Sequence, residues 1–196
     1  MQNLTTIAEI IWQNRVSFNI EPKEIWDSTI LTEKWFKSTK ELNTVYTSGA
    51  PGWYWISLET SFEELQKLNS DTCKKAGCKI DKVAASNLAL FTEKLLCKKD
   101  DKGMLIIYNG HQNKVLSRLR QHFVLNNDGT GALGFNAYKT LAIKHWTISY
   151  FSAKHIQNLP TEYQQVIKSL INSSVGRVAV ETAWRASNGW PILCKA

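Results

Sequence analysis

Apolar residues along this chain recur first at helical spacing: Leu4, Ile7, Ile10 and Ile11 share one face over 4–14, and Trp12 extends the stripe. A second helical pattern runs from Pro22 to Lys40 through Ile25, Trp26, Ile30, Leu31, Trp35 and Phe36. The turn cluster Thr47-Ser48-Gly49-Ala50-Pro51-Gly52 then breaks the periodicity, and Trp53-Tyr54-Trp55-Ile56 reads as a short aromatic strand. Ser61-x-x-Glu64 is a capping-box pattern that opens a short helix over 61–69. Asp81–Cys97 carries Val83, Leu88, Phe91 and Leu95 near one side, which predicts another helix.

After the polar turn 98–103, Met104–Tyr108 predicts a second strand, Asn113–Leu125 an amphipathic helix, and Asn126-Asn127-Asp128-Gly129 its stop. Trp146, Ile148 and Tyr150 alternate within a third strand, His145–Phe151. Pro160 opens a helix over Thr161–Ile171, and Gly176 separates it from a last one over Arg177–Ala186. This order predicts an α+β fold: a small three-stranded mixed or antiparallel sheet flanked by helices. Residues 1–50 form an N-terminal helical region and 51–196 the main domain, with 57–103 as a helical insertion.

Composition narrows the function classes. The 196 residues are 43% hydrophobic, enough to bury a core without covalent staples. No apolar run approaches the eighteen or so residues of a membrane span, and the N-terminus lacks the pattern of a secretory signal, so the expected location is the cytoplasm. Cys73, Cys78, Cys97 and Cys194 lack paired C-x-x-C spacing and read as reduced thiols rather than zinc ligands. The net charge of +7 is segregated: −1 over 1–56, 0 over 57–101 and +8 over 102–196. Solubility alone requires no such separation, whereas a polyanion such as nucleic acid would be steered to the basic half.

The chemistry concentrates in the same half. In Tyr108-Asn-Gly-His-Gln-Asn-Lys-Val-Leu-Ser-Arg-Leu-Arg-Gln-His-Phe123, a strand ends in Tyr-x-Gly, and Arg118 and His122 follow one helical turn apart. A fixed cationic fork, a titratable imidazole and a phenol suit work on a phosphate. Gly129-x-Gly131-x-x-Gly134 matches a dinucleotide fingerprint in letters only, because a helix precedes it and a strand follows. Glu181 is one of three acids in the last 95 residues and sits among Val178, Val180, Ala183 and Trp184. Such a carboxylate needs a partner. Arg177 or Arg185, four residues to either side, would serve, and so would a metal ion.

Together, Gly52-Trp53-Tyr54, Tyr108-Asn109-Gly110, Arg118, His122 and late-helix Glu181 resemble the GIY-YIG nuclease family, most like its type II restriction endonucleases, over about 50–196. The chain departs from that pattern at Asn109, normally aliphatic, and in the fifty or so residues between the two tyrosines. The late Asn of many members has only Asn188 as its nearest counterpart.

The resemblance implies a metal-dependent endonuclease hydrolysing phosphodiesters of double-stranded DNA, with one Mg²⁺ or Mn²⁺ on Glu181. Catalytic roles would fall to Tyr54 (proton acceptor from water), Tyr108 (orientation), Arg118 (charge neutralisation) and His122 (proton relay or phosphate contact). His111 would be a substitute for His122. Restriction enzymes of this kind pair as homodimers around palindromes. The alternative is a structure-specific or catalytically inactive DNA-binding protein on the same fold.

Overall fold

A computed structural model describes residues 3–38, 49–68, 79–97, 99–100, 102–124 and 131–195. Its elements are α1 (Leu4–Gln13), β1 (Val16–Ile20), α2 (Glu33–Ser38), β2 (Gly52–Leu58), α3 (Phe62–Gln66), α4 (Ile80–Leu90), β3 (Leu105–Gln112), α5 (Val115–Phe123), β4 (Trp146–Ser152), α6 (Thr161–Asn172) and α7 (Ser174–Asn188). The strands form one antiparallel sheet in the order β1-β4-β2-β3. The fold is α+β, as expected, but the sheet has four strands rather than three. The additional strand, β1, alternates buried Phe18 and Ile20 with exposed Ser17 and Asn19, and it pairs with β4 from Val16↔Tyr150 to Ile20↔Trp146. Residues 1–50 therefore contribute to the same sheet as the rest of the chain.

Strand alternation sends two cores to opposite sides of the sheet. One holds Tyr54, Ile56, Ile107, Leu116, Leu119, Phe123, Phe135 and Trp146 beneath α5. The other holds Trp53, Trp55, Ile106, Ile7, Ile11, Ile167, Val180 and Trp184 beneath α1, α6 and α7. Trp53 ties its face to α7 directly, its indole N–H donating to the Arg177 carbonyl at 2.9 Å.

Three helical expectations are corrected. Among its described residues, 22–38, the pattern drawn over 22–40 yields a 3₁₀ turn at Glu24–Trp26 and the short α2, with Leu31 left-handed between them at φ 59°. The Asp27 carboxylate accepts from both the backbone N–H and the hydroxyl of Thr29, and such local bonds compete with helix propagation. The helix drawn over 81–97 stops at Leu90, and Leu96 instead bridges to Trp190. Gly176 lies inside α7 rather than before it. A Cβ there would sit 2.5 Å from the Leu170 carbonyl oxygen, so glycine permits the close approach of α6 to α7. The capping box at Ser61 and Glu64 is present. The stop at 126–129 and the first residues of the glycine motif lie outside the described residues.

Candidate active site at the sheet edge

Strand β3 is one of the two edge strands of the sheet and contributes a residue to each half of the site, Tyr108 to one and His111 to the other. Tyr54 pairs with Gly110 and Ile56 with Tyr108, and a bulge then skips one residue before Ser57 pairs with Ile106. The bulge leaves Ile107 and Tyr108 both turned to the α5 side. The rings of Tyr54 and Tyr108 stack with centroids 6.1 Å apart. Gly110 makes room for this arrangement, because a Cβ there would lie 2.7 Å from the Tyr54 hydroxyl oxygen.

Helix α5 delivers the other two groups. Val115, Leu116, Leu119 and Phe123 bury one face and bring Arg118 and His122 over the tyrosines. His122 is fully buried, with Nε2 2.9 Å from the Tyr54 hydroxyl oxygen. The Leu133 backbone N–H donates to His122 Nδ1 at 3.2 Å. Nδ1 is thus an acceptor, so the proton resides on Nε2 and is donated to Tyr54. Burial, helped by the Arg118 charge, pushes the imidazole down to about 3, so it stays neutral at physiological pH. The glycine motif has a structural use here: Leu133, within it, fixes the His122 tautomer, and a Cβ on Gly131 would lie 3.8 Å from Arg118 Nη2.

Burial drives both phenols up, Tyr54 well above its ordinary value and Tyr108 to about 12. The Arg118 guanidinium opposes the rise at each, by charge at both and by a hydrogen bond at Tyr54, whereas Tyr108 adds to the rise at Tyr54 while a hydrogen bond from Tyr54 lowers Tyr108. A neighbouring cation and hydrogen bonds favour the phenolate, while desolvation favours the phenol and here dominates.

Asn109 and His111 alternate to the other face of β3, where α7 lies. His111 Nε2 is 3.9 Å from Glu181 Oε2, too long for a hydrogen bond, and Arg177 Nε donates to His111 Nδ1 at 3.4 Å. Of the two arginines open to Glu181 by spacing, Arg185 forms the ion pair, through Nη2 and Oε1. Arg177, also buried, instead donates to the Ile171 carbonyl at 2.6 Å and braces the end of α6. Burial raises Glu181 despite its partner, and desolvation with the Arg177 and Arg185 charges lowers His111.

The six expected residues therefore form two groups on either side of the edge strand. Tyr54, Tyr108, Arg118 and His122 make one, and His111 and Glu181 make the other. They communicate around the edge: the Glu181 charge raises both phenols, and Tyr108 and Arg185 line one cleft of about 270 Å³ with Gly131, Leu133, Leu193, Cys194 and Lys195. Asn188 is not part of this arrangement, its amide donating to the Trp184 carbonyl of its own helix at 3.0 Å. Arg185 and Arg177, expected from the sequence only as alternative partners of Glu181, and the Leu133 amide also belong to the site. The one sequence signal for the first two was their i±4 spacing from Glu181.

Among the described residues, no three His, Cys, Asp or Glu side chains gather as a metal cluster. A single carboxylate is nevertheless a donor set that suits Mg²⁺, which keeps several waters and takes oxygens from a bound phosphate. Glu181 offers such an oxygen: its side chain is 13% exposed, Oε1 is paired with Arg185, and Oε2 lies 3.9 Å from His111. Cys97 and Cys194 are buried free thiols, while Cys73 and Cys78 lie outside the described residues. No helix among the described residues is long and apolar enough to cross a membrane. No family model, curated protein or solved structure matches this chain.

Proposed function

We propose that this protein is a metal-dependent endodeoxyribonuclease of the GIY-YIG kind, most like a sequence-specific type II restriction enzyme. The observation that carries the reading is the convergence on one buried hydroxyl: His122 Nε2–H, Arg118 and Tyr108 all reach Tyr54. Three polar partners around one phenol exceed what a core tyrosine needs, and two of them, the His122 N–H and the Arg118 guanidinium, help the oxygen to bear negative charge.

In the proposed reaction, a phosphodiester enters the cleft beside Tyr108 with its non-bridging oxygens toward Arg118. With Tyr54 in its phenolate form, water attacks phosphorus, its proton passes to Tyr54 Oη, and the bond to the 3′-oxygen breaks, the departing alkoxide taking a proton from solvent. His122 serves as a fixed donor rather than a relay, because Nδ1 is taken by a backbone amide and the ring has no route to solvent. Arg118 neutralises charge that develops on the phosphoryl oxygens, worth about 3 kcal/mol in a water-excluded site. Tyr108 holds the Tyr54 hydroxyl and the water in line. A divalent ion bound through Glu181 would polarise the phosphate and stabilise the departing oxygen. DNA is the proposed substrate because the charge excess of +8 lies in the same half of the chain, 102–196, as Tyr108, Arg118 and Glu181, and Arg185 and Lys195 line the cleft; pairing of two copies would suit a palindromic site.

Nicking of supercoiled plasmid in Mg²⁺ tests the reading. Wild-type protein should nick, and Tyr54→Phe, Arg118→Ala and Glu181→Ala should each lose about 10²-fold or more. Sequencing the product ends separates a restriction enzyme, with discrete ends, from a nonspecific or structure-specific nuclease. One observation favours the second reading, a DNA-binding protein without cleavage: Glu181 is already paired with Arg185. Salt-sensitive DNA binding with no nicking in any divalent ion would establish that alternative.

A further inference from the structure

The reaction above gives Arg185 no part, yet this side chain is built firmly into the site. It is 15% exposed and pairs with Glu181. Its Nε donates to Asn109 Oδ1 at 2.8 Å, and Nη2 approaches the Asn109 carbonyl at 3.4 Å. The guanidinium lies 4.5 Å from the centroid of Trp190 and faces the cleft it shares with Tyr108. Asn109 is 2% exposed, at the strand position that departs from the aliphatic pattern. A buried amide is costly unless bonded, and Arg185 together with the Cys194 thiol supplies the bonds. Asn109 and Arg185 thus account for each other across 76 positions.

This anchoring conflicts with a divalent cation on Glu181. A guanidinium on the same carboxylate repels an incoming cation, and Arg177, whose charge also reaches His111, adds to the repulsion. A phosphodiester in the cleft changes the balance. It brings negative charge and offers the guanidinium a bidentate acceptor, which arginine suits better than any other side chain. The Nε–Asn109 bond can persist as a pivot while the two Nη groups turn from carboxylate to phosphate.

Resting on the nuclease reading, we propose that Arg185 is a second phosphate-binding residue that exchanges partners. It holds Glu181 in the free protein and the phosphodiester in the complex, so that the carboxylate opens to a divalent ion only when nucleic acid is bound. The metal would then load with the substrate, and free protein would hold it weakly.

Two equilibrium measurements test the exchange: Mn²⁺ binding to DNA-free protein by electron paramagnetic resonance, and duplex DNA binding in EDTA as a function of salt. In Arg185→Gln, Mn²⁺ should bind about tenfold tighter. The same variant should bind DNA about tenfold more weakly, with a salt slope shallower by about one. The two affinities move in opposite directions, which loss of structure would not produce. Arg185→Lys keeps the charge without the fork, so its Mn²⁺ affinity should stay near wild type while DNA binding recovers only in part. Should Arg185→Gln fail to fold, Glu181→Gln decides, because it releases Arg185 and should tighten metal-free DNA binding about tenfold. Unchanged or weaker Mn²⁺ binding in Arg185→Gln, unchanged DNA binding in that variant, or no gain in Glu181→Gln overturns the proposal. If instead wild-type protein with bound DNA takes up no Mn²⁺ that Glu181→Gln abolishes, the nuclease reading itself fails.

Discussion

His122 donates its Nε2 proton to the Tyr54 hydroxyl 2.9 Å away because the Leu133 amide already occupies Nδ1. A residue of α5 thus has its tautomer set by a loop, and the loop thereby makes His122 the hydrogen-bond donor and the Tyr54 oxygen the acceptor.

Protonating this buried imidazole should unfold the protein. Its pKa falls from the ordinary 6.5 to about 3 on folding, so the unfolded chain takes up the proton first. The stabilisation is complete above pH 6.5 and is lost as pH falls toward 3, at about 1.4 kcal/mol per unit. His111 and His155 shift in the same direction, so the measurement is the difference between wild type and His122→Asn. In urea melts at pH 7.5, 6 and 5, the advantage of wild type over His122→Asn should shrink with each step. A constant gap would refute the assignment.

Both phenols titrate far above neutrality, so the base form of Tyr54 is scarce at pH 7. If Tyr54 accepts the proton, the logarithm of the single-turnover nicking rate should climb about one unit per pH unit to at least about pH 9. A plateau near pH 7 would assign the base to another group.

Gly110→Ala places a methyl group where the Tyr54 hydroxyl stands, 2.7 Å from its oxygen. The ring must shift, at a cost of about 1–3 kcal/mol in stability. Nicking should fall about 10²-fold, since displacement of about 1 Å at a catalytic group has that effect. Full activity in a folded variant would show that Tyr54 tolerates displacement and is not catalytic.

Gly176→Ala pits two effects against each other. Alanine favours a helix interior by about 1 kcal/mol over glycine. At this position the new Cβ meets the Leu170 carbonyl oxygen at 2.5 Å, a backbone atom that cannot step aside without parting α6 from α7. Overpacking should win by about 1–2 kcal/mol net, and the thermal midpoint should drop. A rise would mean that the helices have slack.

Much of this was legible in the chain because its signals are local. Tyr108-x-Gly110 and the Arg118–His122 spacing need only a strand and one helical turn to be understood. β1 escaped because five residues with Ser17 and Asn19 on one face look like a polar loop. Their polar face has partners far off in the chain, where the Ser17 and Ser149 hydroxyls lie 2.7 Å apart and Asn19 accepts from Thr147 and Lys102. The helix over 22–40 failed because apolar spacing cannot report that Asp27 prefers the Thr29 amide. In the site, composition does not foretell that Asn109 holds Arg185, and the division of the groups across β3 follows from α5 and α7 packing on opposite faces.

Edge strand β3 bears Tyr108 and His111, yet its outer flank is not bare. The Leu193 N–H donates to the Ile107 carbonyl at 2.9 Å, the Asn109 N–H points to the Cys194 sulfur at 3.4 Å, and Trp190 bonds the 95–97 segment on either side. The tail works as a clasp along the seam where a foreign strand would otherwise attach. Shearing off residues 191–196 should therefore do more than loosen the cleft. It should leave a ribbon open to templated stacking, and the shortened protein should self-associate.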